Sequence, residues 1–344
     1  MSTASSIFED PQAKKIDAAL DQITDIYLPS SDPLDGFFYP RSSTIRDFPF
    51  IHEFATELLE GCRQRLRPDS DEFVVRVRGR SFRGHKIDTI EQPYFALRRM
   101  PKSVPSLESL GLETAVRQVL LHESLNRGGL VLICGETGQG KSTTCASAIK
   151  ERLFKFGSFC LTVEDPPEMP LHGLHGDGRC LQTEVSNGEF AEALRGAMRC
   201  YPADGGSILY VGETRGAETA AEVLRAAMNG ALVFTTTHAP DVPSGLRRLV
   251  SFAATRMGKE EAETILASTF RLGLHQVLED TRPLPGKAPR RRLSMTFLMS
   301  GNGRTPVANI IRKGELDALG TSMHQQAAIM KNQGPKALLR DFIE

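Results

Sequence analysis

Apolar residues along this chain change period near residue 106. Before that point, Ile16, Ala19, Leu20, Ile23 and Ile26 share one face at helical spacing, and Phe54, Leu58, Leu59 and Cys62 mark a second amphipathic helix. Between them, residues 30–43 are rich in Pro, Ser, Asp and Gly and read as a loop. Phe73-Val74-Val75-Arg76-Val77-Arg78 alternates like a strand, and a further extended stretch ends near Phe95-Ala96-Leu97. The pattern predicts an N-terminal extension over 1–34, partly disordered and most clearly so in its first six residues, then a small α+β domain over 35–101. Pro101 and Pro105 interrupt a stretch with no period, which places a linker at 102–106.

From residue 107 to 344, strands alternate with helices. Val116, Val119 and Leu120 lie on a helix that stops at Gly128-Gly129. Buried strands are predicted at Leu130–Cys134, Phe159–Val163, Ile208–Val211 and Leu232–Thr236, with helices at Phe190–Met198 and Ala217–Met228. Repeated βα units imply a mainly parallel sheet with helices on both faces, and ligands then bind at the carboxyl ends of the strands. Arg290-Arg291-Arg292 follows a Pro/Gly-rich loop and reads as a solvated hairpin flank.

One segment carries specific chemistry. Gly135-Glu136-Thr137-Gly138-Gln139-Gly140-Lys141-Ser142 fits G-x-x-x-x-G-K-[ST] at every fixed position. The Leu130–Cys134 strand precedes it, and apolar residues at helical spacing (Cys145, Ala148, Ile149, Leu153, Phe156) follow until Gly157 closes the helix. Glycines let backbone N–H groups face phosphates, the helix N-terminus adds partial positive charge, Lys141 reaches the β- and γ-phosphates, and Ser142 can ligate Mg²⁺.

Composition narrows the partners. Lys+Arg and Asp+Glu both total 42, so the formal net charge is zero and a general electrostatic grip on nucleic acid is unsupported. Six scattered cysteines with no C-x-x-C pair suggest neither a zinc site nor a disulfide framework. Reduced thiols beside a nucleotide site point to the cytoplasm. No signal peptide is visible and no apolar run approaches the ~20 residues of a membrane span, so membrane contact is expected to be peripheral.

Further polar clusters follow the predicted strands: Glu164-Asp165, Gly212-Glu213 and His238. In a parallel sheet all three converge on the phosphate loop. A carboxylate there can hold the Mg²⁺ shell or orient water on the γ-phosphate, and His238 can hydrogen-bond that phosphate. The plainer alternatives are a turn cap for Glu164 or Asp165, a salt-bridge residue for Glu213 and a core histidine for His238.

Together these segments resemble a known family. Gly135–Thr144, Thr162-Val163-Glu164-Asp165-Pro166-Pro167-Glu168, Val211-Gly212-Glu213-Thr214-Arg215 and Thr235-Thr236-Thr237-His238 are similar to the Walker A, aspartate box, Walker B and histidine box of type II/type IV secretion ATPases, in matching order and spacing. Arg98-Arg99-Met100-Pro101 and Asn309–Gly314 resemble outlying segments of the PilT-like pilus-retraction branch and its conjugation and Dot/Icm-type relatives. The resemblance spans roughly residues 73–320. It implies a PAS-like N-terminal domain, a RecA-like motor domain with a helical C-terminal region, a homo-hexamer, ATP and Mg²⁺. It also implies peripheral association with an inner-membrane platform protein of a pilus or secretion machine. By position it gives phosphate binding to Gly135–Thr143, including Lys141, and metal contacts to Ser142 and Asp165. Glu164 and Glu213 act on the catalytic water and metal, His238 reads the γ-phosphate, and Arg98 is the candidate arginine finger, with Arg83 second.

The departures are specific. Ala231 stands where the family's first histidine would be, Arg199–Asp204 replaces an Arg-x-Asp-Pro-Asp run, Gly216 replaces an aspartate, and the zinc-binding cysteine quartet of many type II members is absent. The leading reading is an ATP-hydrolysing motor of a pilus, secretion or conjugative machine. The alternatives are a RecA-like nucleic-acid motor and a nucleotide-gated assembly factor, and no Asn-Lys-x-Asp guanine signature supports a GTPase.

Overall fold

The computed structural model describes residues 11–343 apart from 41, 69, 186–188, 203–205, 281–290 and 302. The chain divides into two units after Lys102. The N-terminal unit contains α1 (Pro11–Leu20), β1 (Asp25–Pro29), β2 (Phe37–Phe38), β3 (Ser43–Thr44), α2 (Pro49–Arg65), β4 (Glu72–Val77), β5 (Arg80–Asp88) and β6 (Pro93–Arg99). Its strands form one sheet in the order β3-β2-β1-β6-β5-β4, antiparallel throughout. The buried face (Ile26, Leu28, Phe73, Val75, Phe82, Phe95, Leu97) packs with Ile51, Phe54, Ala55, Leu58, Leu59 and Cys62 of α2.

Two expectations for this unit are corrected. Ile26 was placed on a helical face with Ile16, but α1 ends at Leu20 and Ile26 belongs to β1. The spacing misleads because Ile26 and Leu28 alternate into the core while Leu20 and Ile23 reach the same core from the helix end and the turn. Residues 25–34 are therefore no extension. β1 lies between β2 and β6 inside the sheet, and Arg80 anchors α1 and the turn after it through ion pairs to Asp17 and Asp21, both at 3.0 Å. The first six residues lie outside the described residues.

The second unit contains α3 (Thr114–Leu120), β7 (Gly129–Cys134), α4 (Lys141–Phe156), β8 (Phe159–Glu164), β9 (Gly173–His175), β10 (Gly178–Glu184), α5 (Phe190–Met198), β11 (Ser207–Val211), α6 (Ala217–Met228), β12 (Leu232–Thr237), α7 (Val242–Met257), α8 (Lys259–Thr269), β13 (Phe270–Asp280), β14 (Arg291–Met299), α9 (Pro306–Arg312), α10 (Leu319–Gln333) and α11 (Pro335–Ile343). Its sheet runs β14-β13-β7-β12-β11-β8-β10-β9. The six strands from β13 to β10 are parallel, and β9 and β14 add antiparallel edges. The central strands feed two cores at period two. Leu130, Leu132 and Cys134 of β7 pack with α6, α7 and α8, whereas Val131 and Ile133 pack with α3 and α4. Burial on both faces explains why these strands read as unbroken apolar runs. Arg291 and Arg292 open β14 and are exposed, and Arg290 lies outside the described residues.

A buried cation ties α4 to the end of α3. Arg152 donates to the carbonyls of Leu120 (2.8 Å) and His122 (3.0 Å) and to the Asn126 side chain, so it satisfies acceptors that a helix C-terminus leaves open. Burial pulls its pKa down to about 10, yet the guanidinium stays charged at neutral pH. Arg152→Leu keeps an apolar stem but leaves these buried acceptors unpaired. It is expected to lower the unfolding free energy by about 2 kcal/mol or more, measured by urea denaturation, with Lys155→Leu at the more exposed neighbouring carbonyl costing clearly less.

Candidate functional site

The phosphate loop joins β7 to α4 at the carboxyl end of the sheet. Gly135, Gly138 and Gly140 have φ of +147°, +80° and +78°, which L side chains rarely adopt. At Gly135 space is also lacking, since a Cβ would come 2.6 Å from the Gln276 carbonyl oxygen. Gly135 is buried while Glu136, Thr137 and Gly138 are exposed, so the loop opens to solvent. Lys141 is only 7% exposed and folds back over the loop, donating to the carbonyls of Gly135 (2.9 Å) and Glu136 (2.7 Å). Burial lowers its pKa, and Glu213 and Glu168 pull it back up. Ser142 stands in the first turn of α4, and the Thr143 hydroxyl meets Met169 Sδ at 3.9 Å.

A glutamine absent from every motif braces this loop. β13 pairs with β7 as far as His275 opposite Cys134, then runs on beside the loop. Gln276 Nε2 donates to the Gln139 carbonyl at 2.6 Å, and the Gln139 side chain accepts from Leu278 N. Gln276 is 2% exposed. Its one sequence signal is parity: after the irregularity between Phe270 and Leu272, residues Leu272, Leu274, Gln276 and Leu278 fall on one side of the strand, and a single polar residue interrupts the series.

The carboxylates gather at neighbouring strand ends. Glu164 closes β8, is 3% exposed, and accepts from Gln182 Nε2 at 2.9 Å. Burial pushes its pKa up to about 7 against the hydrogen bonds of Gln182 and Thr162, which favour the ionised form. Gly212 packs beside Glu164, where a Cβ would stand in ordinary contact, 3.4 Å from Glu164 Cγ. Glu213 follows. One oxygen accepts from Arg215 Nε at 2.9 Å, and the other lies 3.4 Å from His238 Nε2. Threonines lock this corner: Thr236 Oγ1 donates to the Gly212 carbonyl at 2.6 Å, and the Thr214 and Thr235 hydroxyls pair at 2.9 Å. The Tyr210 hydroxyl is buried beside Ser142, and burial raises its pKa, with Cys145, Glu164 and Glu168 adding to the effect and Ser142 opposing it.

The structure thus brings Glu213 and His238 into contact, sets Glu164 against Gly212, and puts Lys141 within electrostatic reach of Glu213. Asp165 lies in the bend just after β8. Arg98 is placed on β6 of the N-terminal unit, directly opposite Arg83 on β5. Arg98 pairs with Asp25 at 2.9 Å while its side chain stays 80% exposed, and Arg83 pairs with Glu72 at 2.9 Å. Among the described residues no group of three or more His, Cys, Asp or Glu side chains could hold a metal unaided. Mg²⁺ needs no such cluster, since it takes one or two protein oxygens and completes its shell with water and substrate phosphates.

Charging Glu164 has a thermodynamic signature. Its folded pKa of about 7 lies above the ordinary value of 4.5. A neutral buried carboxyl is favoured below the lower value, and stability is lost as pH rises from there through the folded pKa. Relative to Glu164→Gln, the nucleotide-free protein is expected to lose up to roughly 3 kcal/mol between about pH 4.5 and 7, then level off. Urea melts of both proteins across this range check it, and a pH-independent difference would contradict the assigned burial.

Comparison with known proteins agrees with this geometry. The chain is 32% identical over 288 residues to the protein YggR of Escherichia coli (strain K12), covering 79% of each chain. It is 33% identical to the type IV pilus retraction ATPase PilT of Pseudomonas aeruginosa over 224 residues, which is 64% of this chain and 59% of that one. With the type IV pilus ATPase PilU of the same organism, the identity is 30% over 65% of this chain and 54% of the relative. The chain therefore spans little more than half of several relatives it matches. A crystal structure of the pilus retraction motor PilT with bound ADP superposes with a TM-score of 0.70 at 26% identity, covering 96% of this chain and 97% of that one. The DotB ATPase of Legionella pneumophila shares the fold, with a TM-score of 0.63 at 22% identity over 100% and 96% of the two chains. The architecture is thus the α/β, RecA-like motor fold with an N-terminal α+β domain. Type II/IV secretion system protein is the family whose pattern matches residues 59–295, more than half of the sequence, and the chain belongs to that family.

Proposed function

We propose that this protein is an ATP-hydrolysing motor that drives a type IV pilus or a type IV secretion or conjugative machine, working as a homo-hexamer against an inner-membrane platform protein from the cytoplasmic side. The observation that carries the reading is the convergence at one end of the sheet of a phosphate loop with its lysine, a buried carboxylate and a glutamate–histidine pair. The pilus ATPases among the relatives support ATP as the nucleotide. Among the described residues no helix is long and apolar enough to cross a membrane, which fits peripheral attachment.

The roles follow from the chemistry. Gly135–Thr143 cradles the phosphates with backbone N–H groups, and Lys141 exchanges its two carbonyl partners for β- and γ-phosphate oxygens. Ser142 and Asp165 would hold Mg²⁺, which neutralises charge developing on the phosphates. Glu213 orients the attacking water and accepts its proton, and Glu164 supports it from β8. His238, touching Glu213, hydrogen-bonds the γ-phosphate. Arg98 supplies the positive charge that grows in importance as the phosphoryl group transfers.

Two variants separate binding from turnover. Lys141→Ala is expected to abolish ATP binding in a titration. Glu213→Gln is expected to bind ATP as wild type does but turn over ~10²–10⁴ more slowly. A loss under tenfold in Glu213→Gln would move the leading role to Glu164. Ring dependence is read by mixing. Arg98→Ala alone lowers turnover by ~10³ with little change in affinity if it is the finger. Once mixed assembly is verified, rings of Arg98→Ala and Glu213→Gln subunits recover part of the activity, because some junctions pair an intact loop with an intact finger. No recovery in verified mixed rings rules out a finger supplied in trans.

A further inference from the structure

Gln182 sits on β10, near the far edge of the sheet and outside the nucleotide motifs. Its amide is saturated. Oε1 accepts from the backbone N–H groups of Leu171 (2.9 Å) and His172 (2.8 Å), while Nε2 donates to the Met169 carbonyl (2.9 Å) and to Glu164 Oε1 (2.9 Å). Two donors and two acceptor sites are the full capacity of a glutamine side chain. The arrangement fixes its orientation too. A flipped amide would turn N–H against N–H at Leu171 and His172, and oxygen against oxygen at Met169 and Glu164.

Two other donors reach the same carboxylate, the Thr162 hydroxyl and the Glu168 backbone N–H. Thr162 is itself held from β10, since Thr183 N donates to its Oγ1 at 3.3 Å. Met169, whose carbonyl Gln182 binds, touches Thr143 of the phosphate loop through its sulfur. A single side chain thus joins Glu164 to a turn that rests on the first turn of α4.

We propose that Gln182 is a positioning residue for ATP hydrolysis: one N–H of its amide fixes the Glu164 carboxylate beside the phosphate loop, while its other bonds hold the turn at 169–172. This rests on the reading of Glu164 as part of the hydrolytic site. Nε2 serves Glu164 and the Met169 carbonyl, while Oε1 serves the Leu171 and His172 N–H groups, so substitutions can separate the two ends of the amide. Gln182→Glu keeps an acceptor for Leu171 and His172 but loses the donor to Met169 and sets a carboxylate against Glu164. Gln182→Met keeps the length and loses both functions.

The experiment measures kcat, KM for ATP and binding of a fluorescent ATP analogue in wild type, Gln182→Glu, Gln182→Met and Glu164→Gln. If Gln182 positions Glu164, Gln182→Glu lowers kcat at least about tenfold while KM and analogue affinity stay within about threefold. Gln182→Met then shows a kcat loss of the same order. Wild-type kcat in Gln182→Glu, with a defect in Gln182→Met seen mainly as weaker nucleotide binding, assigns the residue to the turn alone and overturns the proposal. Should the acidic variant not fold, Gln182→Met decides: a loss confined to kcat supports positioning, and a loss confined to affinity overturns it. Glu164→Gln keeps the two failures apart. Full turnover there removes Glu164 from the reaction and the proposal with it. Impaired turnover there, beside an unimpaired Gln182→Glu, overturns only the positioning role.

Discussion

The absence of one side chain at Gly135 shapes the whole site. A single added carbon would stand 2.6 Å from the backbone oxygen of Gln276, so the loop and β13 can lie together only while position 135 is bare. That approach lets Gln276 reach the Gln139 carbonyl and lets Leu278 N reach the Gln139 side chain. With the loop fixed on that side, its remaining freedom faces solvent, where Glu136, Thr137 and Gly138 are exposed. Pre-ordering of this kind lowers the entropy that ligand binding must remove.

The carboxylates are held by opposite means. Glu164 is enclosed, and burial works against its charge while donors from β8, β10 and the following turn work for it. Glu213 is more open and carries its own counter-charge, with Arg215 on one oxygen and His238 near the other. A parallel sheet produces this contrast directly. β8 and β11 are neighbours, so the residues after their last paired positions are close, yet Glu164 is buried and Glu213 only partly so. Two acids one strand apart thereby acquire different environments, a recurrent basis for dividing chemical roles.

Much of this was legible in the sequence, for identifiable reasons. The strands β7, β8, β11 and β12 and the helices α4, α5 and α6 announce themselves through continuous apolar runs, helical spacing and terminal glycines. Glu164, Glu213 and His238 come together because a parallel sheet gathers whatever follows its strands. The misses have equally physical causes. Ile26 continues a helical spacing by coincidence, and only the pairing of β1 with β6 reveals a strand. β10 reads Gly178-Arg179-Cys180-Leu181-Gln182-Thr183-Glu184, too polar and too short a pattern to declare itself, so Gln182 stayed hidden. Gln276 left a parity break and nothing more. Arg98 is singled out only by resemblance, and its local structure adds Asp25 as a partner that no spacing could have named.

β13 serves two structures at once. Its first half is a sheet strand bonded to β7, its second half forms the wall of the phosphate loop, and over both halves it is zipped to β14. In mechanical terms it is a lever: the β7 pairing is the fulcrum and the segment from Gln276 to Asp280 is the free arm. Moving that arm drags Gln139 with it, because two hydrogen bonds join them and bare glycines on either side offer no cushion. The stiffness of the nucleotide grip and the position of the hairpin are therefore a single coordinate, and a load applied to one is felt as strain in the other.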